Sequence, residues 1–311
     1  MTRHLAIVGP TASGKSALAL AVARAAADVE LVSLDSMQVY RGLDIGTAKP
    51  TAAERAEVVH HLVDVAEPGE EWSVQRTQVA ARAAVADIEA RGKRAVLVGG
   101  TGLYVRAVVD DLQIPPTDSA VRRALDDAAA DDDGLARAFA RLTALDPAAA
   151  ARMEPGNRRR IVRALEVIEL TGRQFSSFGA GIDRYAVPAI PVSMLGIEVE
   201  SSELAARIAA RVDTMCQLGL LDEVGGLVGR PLSRTAREAI GYRELLGYLA
   251  GEVSTLADAL DATVRRTRRF ARRQRAWFRR DPRVTWISGA ASAAAIVDAW
   301  TAETPLTVAT R

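Results

Sequence analysis

Eight residues near the start of the chain, Gly9-Pro10-Thr11-Ala12-Ser13-Gly14-Lys15-Ser16, have the spacing of a phosphate-binding loop: glycine, four residues, glycine, lysine, serine. Each type has a physical task. The glycines let the backbone curl so that successive N–H groups face one anion, and a helix starting here adds the positive end of its dipole. Lys15 supplies a mobile positive charge, and the Ser16 hydroxyl is suited to holding Mg2+. The motif specifies a bound phosphate chain. It specifies neither a nucleoside triphosphate nor a reaction. A second candidate is Asp35, which follows the apolar run ending at Leu34. On its own it reads as a general base, a Mg2+ ligand or a turn and capping residue.

The elements that must position these residues follow from the apolar pattern. Leu5–Val8 reads as a buried strand and Ser16 to about Ala27 as a helix, so the loop lies between strand and helix as its chemistry requires. Glu30–Leu34 reads as a second strand, with Asp35 at its carboxyl end, where open α/β sheets bind ligands. Val74–Arg91 reads as a helix stopped by Gly92, and Ala95–Val98 as a third strand leading into Gly99-Gly100-Thr101-Gly102. Alternating strands and helices imply a parallel sheet covered on both faces. After Leu112 the pattern changes. Pro115-Pro116 breaks the chain, Ser119–Ala130, Leu135–Leu145 and Arg158–Leu170 are helical, and Gly179–Gly181 with Pro188 mark a second boundary. Val192–Ile197 then reads as a strand returning to the sheet, and helices dominate from Ser202. We therefore expect an α/β fold. A P-loop core of residues 1–112 and 189–311 would carry a parallel sheet covered by helices, and residues 113–188 would form an all-helical insertion domain.

Composition narrows the function classes. The 311 residues are 49% hydrophobic and 25% charged, as in an ordinary globular protein. No apolar run is long enough to cross a bilayer, and the first residues lack the pattern of a signal peptide. Cys216 is the only cysteine, and with His4, His60 and His61 it forms no metal-ligand spacing, so a reducing, cytoplasmic setting is expected. No exposed apolar stripe argues for a dimer, and a monomer is expected. The net charge of +1 hides an uneven distribution. Acids gather between Asp110 and Asp133, and arginines at Arg158–Arg163 and Arg265–Arg283, which permits a polyanionic partner.

Longer blocks carry a resemblance. Asp35-Ser36-Met37-Gln38-Val39-Tyr40 with Gly46-Thr47-Ala48-Lys49-Pro50 resembles the bacterial tRNA dimethylallyltransferases. So do the phosphate loop, Leu97–Tyr104, Arg163-Ala164-Leu165-Glu166 and Ala239-Ile240-Gly241-Tyr242-Arg243. The blocks occur in the family's order and cover most of residues 5–280. The Asp35–Pro50 run and the Gly99–Tyr104 turn are the specific ones.

The resemblance implies a reaction. Gly9, Pro10, Thr11, Ala12, Ser13, Gly14, Lys15 and Ser16 would bind the diphosphate of dimethylallyl diphosphate, with Mg2+ on Ser16. The nucleophile would be N6 of the adenine beside the anticodon of tRNA. Asp35 would accept its proton, Lys15 would stabilise the leaving group and Thr101 would lie at the reaction centre. Asp35, Ser36, Met37, Gln38, Thr101, Arg123, Arg159, Arg160, Arg163, Arg237 and Arg243 would contact the tRNA anticodon stem-loop, the insertion domain sharing in that grip. Arginines in Arg265–Arg283 are further candidates, whereas Phe270, Trp277 and Phe278 have the helical spacing of core residues.

Other readings of the loop remain open at this level. A small-molecule kinase or nucleotide hydrolase would use the same loop, with Leu31–Asp35 as its acidic strand, although Val96–Val98 ends without a carboxylate. An isopentenyltransferase acting on free adenine nucleotides would share the chemistry but would not need a helical insertion and two basic segments. A non-catalytic RNA-binding protein gives no reason for Asp35 and Thr101 to accompany the loop.

Overall fold

The computed structural model describes residues 4–178, 185, 187–288 and 292–302. They divide into two compact units, Met1–Asp111 with Pro188–Arg311, and Leu112–Val187.

The first unit is built on β1 (His4–Val8), α1 (Lys15–Ala25), β2 (Val29–Ser33), α2 (Ala52–Glu57), β3 (His60–His61), α3 (Val74–Ala90), β4 (Arg94–Gly99) and α4 (Gly102–Val109). All strands pair in parallel, in the order β3-β2-β4-β1-β5-β6, where β5 is Val192–Glu198 and β6 is Val284–Ser288. The strand period of two sorts their side chains onto opposite faces. Leu5 and Ile7 of β1 join the cluster under α1, whereas Ala6 and Val8 join the cluster under α3 and α4. Because β1, β2 and β4 are adjacent and parallel, their carboxyl ends emerge side by side, and the three segments singled out from the sequence leave the sheet at one edge.

The second unit contains α5 (Ser119–Ala128), α6 (Asp132–Leu145), α7 (Pro147–Ala150), α8 (Arg158–Thr171) and α9 (Phe175–Phe178). Asp118, Asp131, Asp146 and Asn157 cap α5 to α8 by accepting backbone N–H bonds. Leu142, Met153, Ile161, Ala164 and Leu165 form its small core. Asp118, Asp131 and Asp146, among the acids of this region, therefore serve as helix starts. The boundary glycines Gly179–Gly181 lie outside the described residues.

The chain completes the first unit with β5, α10 (Ser201–Gln217), α11 (Leu220–Gly225), α12 (Arg234–Arg237), α13 (Tyr242–Leu249), α14 (Leu256–Phe278), β6 and α15 (Ala293–Thr301). Two strands escape sequence reading. β3 is only a pair of histidines, and β6 is recruited by pairing with β5 after a run of arginines that resembles more helix. Phe278 is fully buried as its spacing suggested, while Trp277 and Phe270 are only half-buried.

Candidate active site

The loop between β1 and α1 is a tight curl. Gly9 and Gly14 take φ of 146° and 95°, and even Ala12 stands at 62°, in the left-handed region. Those values turn the chain back on itself before the first helical N–H groups. Inside the curl the Ser13 hydroxyl is buried and makes no hydrogen bond among the described residues. Ser16 lies exposed at the second position of α1.

Lys15 is half-buried, with its ammonium at 3.4 Å from the Pro10 carbonyl oxygen. Burial lowers its pKa to about 8; the Asp35 carboxylate opposes that shift and the Arg211 guanidinium adds to it. Arg211 comes from α10 and makes no hydrogen bond or ion pair among the described residues, and it too feels the charge of Asp35. One turn earlier, Arg207 reaches the Ser13 carbonyl oxygen at 3.4 Å while pairing with Glu203 at 2.6 Å. Three cations thus lie around one loop, the Asp35 carboxylate acting on Lys15 and Arg211 and Glu203 pairing with Arg207. Nothing in the sequence reading singled out Arg207 and Arg211. Their spacing of four, on a helix after the returning strand, is the signal that puts both on one face.

Asp35 is half-buried just beyond β2. One oxygen accepts the Met37 N–H at 2.8 Å, forming an Asx turn, and its own N–H donates to Ser33 Oγ at 3.3 Å. It caps no helix. Gln38 is buried beneath this turn. Its carbonyl accepts from Ser33 Oγ at 2.9 Å, and its amide donates to the Thr47 and Ala48 carbonyls at 3.3 and 3.1 Å. In this arrangement Gln38 ties the Asp35 turn to the Gly46–Pro50 loop. That loop is held from its other side by Glu223, which accepts the Asp44, Ile45 and Gly46 N–H groups at 2.9, 2.7 and 3.2 Å. Ser36 and Met37 are half-buried on the turn.

Thr101 occupies the N-cap position of α4, yet its hydroxyl makes no capping bond. It is therefore not the turn threonine whose hydroxyl satisfies its own backbone. Tyr104, one turn on, has its phenol pushed up to about 12, chiefly by burial, with the Asp35 carboxylate adding to the shift. It stays a proton donor near the carboxylate. A cavity of about 650 Å³, walled by Ile45, Ala48, Pro50, Met215 and Leu218, has Arg211 among its lining.

The remaining candidates are spread over other surfaces. Arg237 and Arg243 lie exposed on α12 and α13, Arg243 pairing with Glu238 at 2.9 Å. In the second unit Arg123, Arg159 and Arg160 are exposed and unpaired among the described residues. Arg163 differs: it donates to the carbonyls of Pro115 and Pro116 at 2.8 Å each and to Glu166. Along α14 the arginines also divide. Arg266 pairs with Glu244 and Glu238, and Arg275 binds Ser201 and the Val199 carbonyl. Arg265, Arg269 and Arg272 are exposed without a partner among the described residues, on the face opposite Ala271, Gln274 and Phe278.

Two comparisons with protein families decide the assignment. The IPP transferase family model matches residues 38–281, and the isopentenyl transferase family model matches residues 2–64. This chain belongs to the IPP transferase family. Its relatives include the tRNA dimethylallyltransferase of Salinispora arenicola, 51% identical over 290 residues, covering 93% of this chain and 83% of that protein. The tRNA dimethylallyltransferase of a Nocardioides species is 50% identical, covering 92% of this chain and 91% of that protein. Among solved structures, the tRNA isopentenylpyrophosphate transferase of Bacillus halodurans is 40% identical, with a TM-score of 0.66 over 93% of this chain and 90% of that one. A eukaryotic dimethylallyltransferase acting on tRNA is 25% identical, with a TM-score of 0.81 over 99% of this chain and 81% of that one. No helix among the described residues is long and apolar enough to cross a membrane.

Proposed function

We propose that this IPP transferase family member is a tRNA dimethylallyltransferase, moving a dimethylallyl group from dimethylallyl diphosphate to N6 of the adenine beside the anticodon and releasing diphosphate. The observation that carries the reading is the convergence, at one edge of the sheet, of a phosphate loop ringed by Lys15, Arg207 and Arg211 with the Asp35 carboxylate and the unengaged Thr101 hydroxyl. A kinase could use such a carboxylate as well, and the match to the IPP transferase family favours prenyl transfer over it. A prenyl transfer needs it for a proton.

The diphosphate is the leaving group. Loop N–H groups, the buried Ser13 hydroxyl, Lys15 and the two arginines of α10 hold it and stabilise the charge that grows as the C1–O bond breaks. The adenine N6 lone pair forms the new bond to C1. Its surplus proton goes to an Asp35 oxygen, and the Asx turn holds that oxygen's partner chain in place. Thr101 positions the reacting amine from the next strand end. The Ile45–Leu218 cavity beside Arg211 offers apolar surroundings for the five-carbon group.

Mg2+ fits this donor set as a shared ligand rather than a caged one. The described residues hold no cluster of three or more His, Cys, Asp or Glu side chains for a metal, whereas the exposed Ser16 hydroxyl stands at the helix start. Ser16 would hold the ion, whose other ligands would be diphosphate oxygens and water, and the ion would supply charge neutralisation on the leaving group.

The anticodon stem-loop is gripped by Arg123, Arg159 and Arg160 of the second unit, by Arg237 and Arg243, and by the Asp35–Gln38 turn, with the target base drawn out of its stack. Arg265, Arg269 and Arg272 are the α14 arginines available for phosphate contact. The enzyme works in the cytoplasm as a monomer.

The reading is tested by incubating the protein with labelled dimethylallyl diphosphate and either unmodified tRNA or AMP. Label on tRNA alone is expected. Label on AMP alone would favour the free-nucleotide enzyme. ATP hydrolysis coupled to tRNA, without prenyl transfer, would favour the kinase-like one.

A further inference from the structure

Gln274 is an uncharged side chain in an arginine-rich stretch, flanked by Arg272, Arg273 and Arg275. It is also one of the few polar residues of α14 that point into the protein, with a relative exposure of only 5%. Its Oε1 accepts the Thr11 N–H at 2.8 Å, a bond spanning 263 positions of sequence. The far end of the same amide lies against the turn after β4. A methyl group added to Gly100 would stand 2.5 Å from Gln274 Nε2, 3.2 Å from the Gly9 carbonyl oxygen and 3.4 Å from Lys15 Cε. The amide, the start of the phosphate loop and the lysine stem therefore all converge on Gly100, the residue before Thr101.

We propose that Gln274 is a positioning residue that fixes the phosphate loop and the Thr101 turn relative to each other, so that bound diphosphate and the acceptor amine meet in register. This rests on the prenyl-transfer reading above.

The residue type suits the task. A loop that must offer its N–H groups to an anion gains from being held before the anion arrives, because reorganisation then costs less at binding. A neutral amide can accept the Thr11 N–H without placing negative charge beside the diphosphate. A carboxylate of the same length could accept that bond too, but it would repel the substrate and compete for Lys15. An arginine, abundant on either side, could not accept at all. The absence of a Cβ at Gly100 is what lets the amide reach both elements.

Four variants, Gln274→Met, Gln274→Glu, Gly100→Ala and the double variant Gln274→Met/Gly100→Ala, test this with inorganic diphosphate, dimethylallyl diphosphate and tRNA as separate ligands. Gln274→Met keeps the length and removes the acceptor. It is expected to weaken both diphosphates by about 10- to 100-fold, the scale of one lost buried hydrogen bond, with tRNA affinity within twofold of wild type. Gln274→Glu keeps the acceptor and adds a charge near the diphosphate, so diphosphate binding should weaken although the Thr11 N–H bond is retained. Gly100→Ala should reproduce Gln274→Met by pushing the amide aside, and the double variant should lose no more than either single change. Unchanged diphosphate affinity in Gln274→Met would overturn the proposal. So would equal losses for tRNA and diphosphate that track a fall in melting temperature, since those would mark a purely structural residue. If the wild type binds inorganic diphosphate but transfers no prenyl group, the prenyl-transfer reading fails, while the diphosphate contrast still decides the role of Gln274 in the loop.

Discussion

Arg163 lies one helical turn before Glu166 and meets its fully buried carboxylate at 2.7 Å, while the same guanidinium caps the carbonyls of Pro115 and Pro116. Glu166 also accepts the Asp118 N–H and pairs with Arg122. This is the internal polar knot of the second unit, and it separates Arg163 from the exposed arginines beside it on α8.

Charge removal should therefore have two different effects on one helix. Arg159→Gln with Arg160→Gln should weaken tRNA binding and lower the log–log salt slope by about 0.7–0.9 per lost phosphate contact, at unchanged stability. Arg163→Gln should cost about 2 kcal/mol of stability by leaving Glu166 and two carbonyls underserved. Affinities across a salt series and melting curves on both variants check this. A normal melting curve for Arg163→Gln would deny it the structural role.

The same sorting applies to α14. Replacing Arg265, Arg269 and Arg272 together by glutamine should reduce the salt slope of tRNA binding, because their charges have no partner among the described residues. Replacing Arg266, which joins Glu244 and Glu238, should instead loosen the packing of α14 on α13. An unchanged slope in the triple variant would leave those arginines as a solvated face.

The lowered pKa of Lys15 makes diphosphate binding depend on pH. In the free enzyme the ammonium is charged at neutral pH and loses its proton as pH rises through about 8. A bound diphosphate favours the charged form and raises that pKa, so binding takes up a proton above pH 8. Relative to Lys15→Met, whose profile carries only the ionisation of the ligand itself, affinity should fall by up to tenfold per pH unit above that point. Lys15→Met should bind more weakly and lose that dependence. Titration calorimetry of inorganic diphosphate in buffers of different ionisation enthalpy reads the net proton, and an uptake at pH 9 no larger than that of Lys15→Met would contradict the assignment.

Much of this was legible in the sequence because it is local. The Gly9–Ser16 spacing and the apolar strand before it are enough to locate the loop, and Pro115-Pro116 with the helical stretches after it mark the second unit. What stayed hidden is what depends on distant chain segments. Arg207 and Arg211 reach the loop only because β5 returns beside β1, and β6 becomes a strand only by pairing with β5. Gln38 also ties its turn to the Thr47 and Ala48 carbonyls, a pairing that no periodicity reveals. Gln274 is silent for the same reason, its partner lying 263 positions away.

The central claim is that Asp35 takes the proton from adenine N6, and the single-turnover rate of Asp35→Asn tests it most directly. The substitution keeps size and can still accept the Met37 N–H, so both substrates should bind nearly as in wild type. Transfer should slow by roughly 100- to 10,000-fold, the range for a positioned acid–base group, and added Mg2+ should not restore it. Rescue by Mg2+ together with weakened diphosphate binding would make Asp35 a metal ligand instead, and single-turnover transfer at the wild-type rate would contradict its role as the base.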